Sequence, residues 1–146
     1  METITTLLSH QHHNCDQLFA QAEASVAKMQ WEHATTDFER FLAAMEHHFS
    51  LEEQILFPQV EDHMGHTGGP IAVMRMEHQQ MRQIFTEMAE CITNHDSEPY
   101  LGLAETLLML MQQHNAKEEQ ILYPLSDDLL SNDRPALLEQ LRQPGN

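Results

Sequence analysis

Two nearly identical stretches of this sequence pair a histidine with a glutamate at a spacing that suits metal binding. They are His48-x-x-x-Glu52 and His114-x-x-x-Glu118, and each glutamate opens a Glu-Glu-Gln-Ile-Leu-aromatic-Pro run. Residues four apart lie on one face of a helix, so in each stretch the imidazole and the carboxylate point the same way. Because both groups ligate transition metals, each stretch indicates half of a metal site.

The spacing between the two stretches also relates a second pair of histidines. His48 and His114 are 66 residues apart, as are His12 and His78. The sequence therefore predicts a duplicated two-helix unit, in which each half has one histidine on its first helix and a His-x-x-x-Glu on its second. Together the two halves offer four imidazoles and two carboxylates.

Apolar residues that recur at steps of three and four predict four amphipathic helices to carry these side chains. We expect the first helix over 5–29 and the second from about residue 35, with Trp31 in the turn before it. The third should begin near Pro70 and the fourth after a polar loop at 93–99. Four such helices with short connections indicate an all-α, up-down-up-down four-helix bundle.

The inward seam of each predicted helix contains the candidate metal ligands. The six are His12, His48, Glu52, His78, His114 and Glu118. Beyond the glutamates we expect the seams to continue through Ile55 in the first copy and through Ile121 and Leu125 in the second. Pro58 and Pro124 remove backbone donors and should kink or fray these helices.

Six buried ionisable side chains require compensation, because each would cost several kcal/mol, roughly, without a partner. A cation between imidazoles and carboxylates supplies it. One octahedral ion could take all six groups, but the duplication favours two ions bridged by Glu52 and Glu118 and by water, hydroxide or oxide. That arrangement leaves a ligand position open on each ion. The donor set suits iron, manganese or zinc.

Composition excludes several classes of partner and site. A formal net charge of −16 argues against nucleic acid and anionic membranes. Cys15 and Cys91 are too far apart in the sequence to indicate a disulfide framework or a thiolate site. No glutamate has a histidine three residues later, so the Glu-x-x-His pairs of ferritin-like di-iron bundles are absent. Without a signal-like N-terminus or a membrane-length apolar run, a cytoplasmic protein is expected.

This arrangement of motifs over residues 5 to 128 resembles the hemerythrin-like family, in the branch named for its His-His-Glu cation-binding motif. The resemblance implies a four-helix bundle that holds a non-haem di-iron centre. Carried over by position, its ligands are the six candidates named above. Arg82 stands where oxygen-carrying hemerythrins have a further histidine, and Glu118 replaces an aspartate one residue later. The pattern is closer to members that act in iron-centre repair and stress response.

Two classes of function follow from such a centre. The first is a protein that binds or senses oxygen or nitric oxide at an open iron position, or handles iron in oxidative or nitrosative stress; sensing would need a partner protein. The second is a di-iron enzyme that reduces peroxide, oxygen or nitric oxide, for which no catalytic residue is identified. We also hypothesise that Asp16 and Arg82, equivalent in the two halves, pair and orient the ligands. The bundle should occupy 1–130 and a C-terminal extension 131–146, with a short helix at 136–142.

Overall fold

The computed structural model describes residues 2–143, where helices account for nearly the whole chain. Seven α-helices and two π-helical turns follow one another in the order α1 (Ile4–Ala27), α2 (Trp31–Leu51), π1 (Glu52–Leu56), α3 (Phe57–Met64), α4 (Pro70–Thr93), α5 (Ser97–Lys117), π2 (Glu118–Leu122), α6 (Tyr123–Leu129) and α7 (Arg134–Leu141). Since α2, π1 and α3 form one continuous rod, and α5, π2 and α6 another, the four rods make the predicted all-α bundle. Within residues 2–143, no helix combines the length and the apolar composition that a membrane span requires.

Three side chains fix the start of α1. Thr3 and Thr6 form a capping box, in which each hydroxyl accepts a hydrogen bond from the other residue's backbone N–H. The Asp127 carboxylate accepts from the N–H groups of Ile4 and Thr5 at 2.9 and 3.1 Å. An acidic side chain at a helix N-terminus also complements the helix dipole. These contacts hold α1 against α6.

The prediction that α2 begins near residue 35 is wrong, because Trp31 is already helical. The Ala34 N–H donates to the Gln30 carbonyl at 2.8 Å, which starts the helical hydrogen bonds four residues earlier than the polar cap candidates suggested. The Trp31 indole stacks on the His95 ring, with centroids 4.9 Å apart and planes 5° from parallel. This stacking joins the start of α2 to the connection between α4 and α5.

The prolines were predicted to kink or fray the helices. They do not fray them, because a wide π-helical turn precedes each proline, and the kink stays a prediction. The N–H of Phe57 donates to the Glu52 carbonyl and that of Tyr123 to the Glu118 carbonyl, so both bonds span five residues. The ring of a proline clashes with the carbonyl four residues before it in a regular α-helix. A π-turn accommodates one extra residue and relieves that clash at Pro58 and Pro124.

Two hydrophobic cores lie along the bundle. One core lies toward the connections α1–α2 and α4–α5, away from the chain ends, and is called the far core; it contains Phe19, Phe41, Phe85 and Leu107. The other lies beside the chain ends and is called the near core; it contains Leu8, Leu56, Leu122 and Leu137. On every rod the candidate ligands lie between residues of one core and residues of the other. The bundle therefore has an ionisable layer between two apolar ones.

The short C-terminal helix predicted at 136–142 is present as α7. Its Leu137, Leu138 and Leu141 are buried in the near core beside Ile4 and Leu8. This packing covers the end of the bundle next to the ionisable layer. The division at residue 130 stays a prediction, and residues 144–146 of the predicted extension lie outside the described chain.

Candidate metal centre

All six candidate ligands converge in the ionisable layer, and each has at most 4% of its surface exposed. Their ligand atoms form two groups within metal-binding distance of one another. The first group is His12, His48 and Glu118, and the second is Glu52, His78, His114 and Glu118. Glu118 belongs to both groups, so the two potential ion positions adjoin.

In the first group the atoms are close together. The Nε2 atoms of His12 and His48 are 3.0 Å apart, and the Oε1 atom of Glu118 lies 3.0 Å from His12 Nε2. Glu52, which belongs to the second group, also comes close, because its Oε1 lies 3.4 Å from His48 Nε2. Two imidazoles and two carboxylates thus face a common point inside the bundle.

The second group leaves buried polar atoms without hydrogen bonds. His78 Nε2 lies 3.1 Å from Glu52 Oε1, and His114 Nε2 lies 3.2 Å from Glu118 Oε1. Among residues 2–143, four side-chain atoms here have no hydrogen-bond partner: Glu52 Oε1, His78 Nε2, His114 Nε2 and Glu118 Oε2. Leaving such atoms unpaired is costly, so native proteins rarely do it. A cation would satisfy all four, and imidazole and carboxylate donors fit iron.

Each imidazole is oriented by a partner on its other nitrogen. The pairs are His12 Nδ1 with Glu119 Oε2 at 2.7 Å, His48 Nδ1 with Gln11 Oε1 at 2.7 Å, His78 Nδ1 with Glu53 Oε2 at 2.7 Å, and His114 Nδ1 with Glu77 Oε1 at 2.8 Å. These partners accept from Nδ1, so an imidazole that is neutral directs its Nε2 lone pair at the centre, as in many metal sites.

Gln11 and Glu77 are partners that the sequence prediction did not include, although the duplication contained the signal for them. Gln11 and Glu77 are 66 residues apart, and each directly precedes a candidate ligand of its half. Glu53 and Glu119 obey the same offset. The repeat therefore includes the outer partners as well as the six inner side chains.

The predicted pair between Asp16 and Arg82 is wrong. The Arg82 guanidinium donates to both oxygens of Glu53, at 2.9 and 3.0 Å, and its Nε donates to Glu46 at 3.1 Å. α4 packs against α2 and α5, and α1 also packs against those two helices, so α1 and α4 lie diagonally across the bundle. Arg82 still acts on the layer, because Glu53 accepts from His78.

Tyr123 is a further polar side chain at the centre, which the sequence prediction did not include. Its hydroxyl lies 3.0 Å from His12 Nε2, 3.3 Å from His48 Nε2, 2.7 Å from Glu52 Oε2 and 2.9 Å from Glu118 Oε1. The residue is fully buried. Burial and the two nearby carboxylates raise its pKa well above 10.

In the metal-free chain, protons take part of the role that a cation would play. Burial raises the pKa of Glu52, and the neighbouring Glu118 carboxylate raises it further. Burial opposes a charge on His114, but its contacts with Glu118, Glu52 and Glu77 outweigh burial and raise its pKa to about 9. Burial also opposes a charge on His12, but its contacts with Glu118, Glu119 and Glu52 raise its pKa. The layer therefore favours positive charge, as a metal site should.

Comparison with known proteins identifies the family. The model of the hemerythrin HHE cation-binding domain matches residues 3–126. The chain belongs to this family. The fold and the buried histidines and glutamates agree with that assignment, and a hemerythrin-like metal-binding bundle compatible with iron accounts for the ionisable layer.

Curated relatives share part of this hemerythrin-like chain. It is 35% identical over 88 residues to the iron-sulfur cluster repair protein YtfE of Escherichia coli O81 (strain ED1a), and 34% identical over 88 residues to the protein of that name from Escherichia fergusonii. In both cases the match covers 53% of this chain and 39% of the relative. The chain thus spans about two fifths of these relatives' length. No solved structure matches it significantly.

Proposed function

We propose that this chain binds two non-haem iron ions in its ionisable layer. An open iron position would bind or sense oxygen or nitric oxide, or the chain would handle iron in oxidative or nitrosative stress. The observation that carries the proposal is that two buried ligand groups adjoin and share the Glu118 carboxylate. Two adjoining positions of this kind suit a pair of ions bridged by carboxylates.

The ligand positions support an assignment of four groups to each ion, two imidazoles and the two shared carboxylates. His12 and His48 would hold one ion, and His78 and His114 the other. Glu52 Oε1 lies 3.4 and 3.1 Å from the nearest nitrogens of the two positions, and Glu118 Oε1 lies 3.0 and 3.2 Å from them. These distances support the proposal that each carboxylate bridges the two ions.

The chain's own residues would hold, orient and shield the ions. The Nδ1 partners keep each Nε2 lone pair directed at the centre. Phe49 stacks on His78 with centroids 3.9 Å apart, and Phe57 lies 5.7 Å from the same ring. These apolar walls keep bulk water from that position. Bound iron would supply the affinity for diatomic ligands and the capacity for electron transfer, which the side chains lack.

A role in stress is supported by the named relatives, which are called iron-sulfur cluster repair proteins. Part of their length matches this chain. We propose that the chain acts with a partner protein or delivers iron itself, in the cytoplasm.

Metal analysis of untagged protein, with an absorption spectrum in air, tests this function. We expect two irons per chain and near-ultraviolet charge-transfer bands, followed by a reversible spectral change when nitric oxide or oxygen is added to the reduced protein. The zinc-loaded chain, which cannot change oxidation state, is the control. Steady consumption of nitric oxide or peroxide with a reductant would instead establish the enzyme. No iron after anaerobic reconstitution would overturn the proposal.

The outer partners should matter measurably for metal affinity. Replacing Glu53 with alanine removes the acceptor for His78 and the group that Arg82 holds, so we expect metal affinity to fall about 10- to 100-fold. Competition with a chelator of known affinity measures the change. Glu39→Ala, an exposed substitution on the same rod, should leave affinity unchanged. Equal affinities in the two variants would contradict this role of Glu53.

A further inference from the structure

The Tyr123 hydroxyl is surrounded by more acceptors than it can satisfy. Its four polar neighbours at 2.7–3.3 Å are His12 Nε2, His48 Nε2, Glu52 Oε2 and Glu118 Oε1. Metal binding requires neutral imidazoles, and both carry their single proton on Nδ1, toward Glu119 and Gln11. A phenol has one proton to donate. In the deprotonated state that binds metal, one acceptor receives this proton, and the other three lone pairs require a cation.

The spacing of these atoms matches a coordination shell. Ligand atoms about 2.1 Å from a common ion and at right angles to one another are about 3.0 Å apart. The phenol oxygen lies 3.0 Å from His12 Nε2 and 2.9 Å from Glu118 Oε1, and those two atoms are themselves 3.0 Å apart. His48 Nε2 completes the set at 3.0 Å from His12 Nε2. The phenol oxygen therefore occupies one corner of the coordination polyhedron that the other three ligand atoms outline.

We propose that the Tyr123 oxygen is a seventh protein ligand, bound to the ion held by His12 and His48. This inference rests on the proposed iron centre and adds to it. On ligation the phenol O–H bond breaks, an oxygen–metal bond forms and the proton leaves to solvent, with no change of oxidation state. The ligand is then a phenolate, a hard anionic donor that favours ferric iron.

Local structure explains why this side chain reaches the centre. The π2 turn inserts one residue after Glu118, so Tyr123, five residues on, faces inward with it. The residue in the equivalent position of the other half is Phe57, which is 66 residues earlier and has no oxygen to offer. Tyr123 thus makes the two ion positions chemically different, although the other ligands are related by the repeat.

The test uses the full chain, made metal-free, loaded anaerobically with two equivalents of ferrous iron and then oxidised with oxygen. We expect a visible phenolate-to-ferric charge-transfer band, and excitation within it should enhance tyrosinate ring vibrations in the resonance Raman spectrum. The sequence contains two tyrosines. Tyr123→Phe should lose the band and these vibrations completely. Tyr100→Phe, the same change at a buried residue of the far core, should keep both.

The outcomes separate this inference from the function on which it rests. Two irons per chain without tyrosinate vibrations would overturn the ligation by Tyr123 and leave the di-iron centre standing. One iron per chain without them would mean that the hydroxyl takes the place of an ion, which also overturns it. No iron would overturn both. Should Tyr123→Phe fail to fold, the spectrum of the wild type beside that of Tyr100→Phe still decides, because Tyr123 is the remaining tyrosine in that variant.

Discussion

Replacing Glu118 with alanine is expected to abolish metal binding at both positions. Glu118 is the side chain common to the two ligand groups, and its Oε1 lies within 3.2 Å of nitrogens from His12 and His114. Ions present at about 1,000 times their dissociation constant stabilise a folded protein by about 4 kcal/mol. We expect the variant to lose that stabilisation, as measured by urea unfolding with and without added iron.

Comparison with the metal-free protein distinguishes lost binding from a damaged core. Without metal, the substitution removes a partner of protonated His114 as well as a carboxylate that repels Glu52, so some destabilisation is expected there too. The stabilisation by metal, about 4 kcal/mol, should be lost in addition when iron is present. Glu90→Ala, at an exposed position on α4, and His47→Ala, adjacent to a ligand, should keep both metal content and stability. Equal destabilisation of Glu118→Ala with and without iron would show that Glu118 only supports the core.

The metal-free protein is expected to become less stable as the pH rises from about 6.5 to about 9. The pKa of His114 is raised from 6.5 to about 9 in the folded chain, so folding favours the protonated form. The resulting stabilisation is complete below pH 6.5 and is lost as the pH passes through about 9. It amounts to roughly 3 kcal/mol, since each pKa unit corresponds to about 1.4 kcal/mol.

Urea unfolding of the metal-free chain at pH 6, 7, 8 and 9 measures this dependence. His114→Gln should flatten it, and His47→Gln, which changes a histidine outside the layer, should keep it. Added metal should reverse the trend, because ligands must lose their protons to bind and affinity therefore rises with pH. A metal-free chain whose stability is constant or increasing over this range would contradict the prediction.

The sequence was sufficient to predict where the six inner side chains meet. His12, His48, His78 and His114 lie on regular α-helical stretches, where steps of three and four identify the inward face reliably. The offset of 66 residues linked the two halves without any knowledge of their packing. The four-helix bundle followed from the same periodicity and was confirmed.

Beyond each glutamate the periodicity failed, because a π-turn shifts the phase of the helix by one residue. Ile121, predicted to lie on the seam, is 60% exposed, whereas Leu122 and Tyr123 are buried. The first copy repeats the shift, with Leu56 and Phe57 buried in place of Ile55. A rule based on 3.6 residues per turn cannot detect an inserted residue, and for this reason the sequence prediction did not place Tyr123 on the inward face. A proline soon after the ligand was the available sign.

The acidic partners of Arg82 could not be predicted from the sequence either, but for a different reason. Equivalence under the repeat relates Asp16 to Arg82 in sequence, but two residues on diagonal helices do not meet. Charge pairing depends on which helices are neighbours, and periodicity within one helix does not contain that information. Glu46 and Glu53, on the adjacent rod, were the accessible acids.

The ionisable layer between the two apolar cores affects how the molecule unfolds locally. Without metal, unfolding of one core is only weakly coupled to unfolding of the other, because the two cores form separate apolar clusters on the two sides of the layer. The near core, with α7 at its edge, is then free to open as a separate unit while the far core persists. The proposed pair of ions would join ligands from all four rods and make the two units open together. Amide exchange in α3, α6 and α7 would consequently report on metal occupancy, and loss of the ion would expose this end of the bundle first.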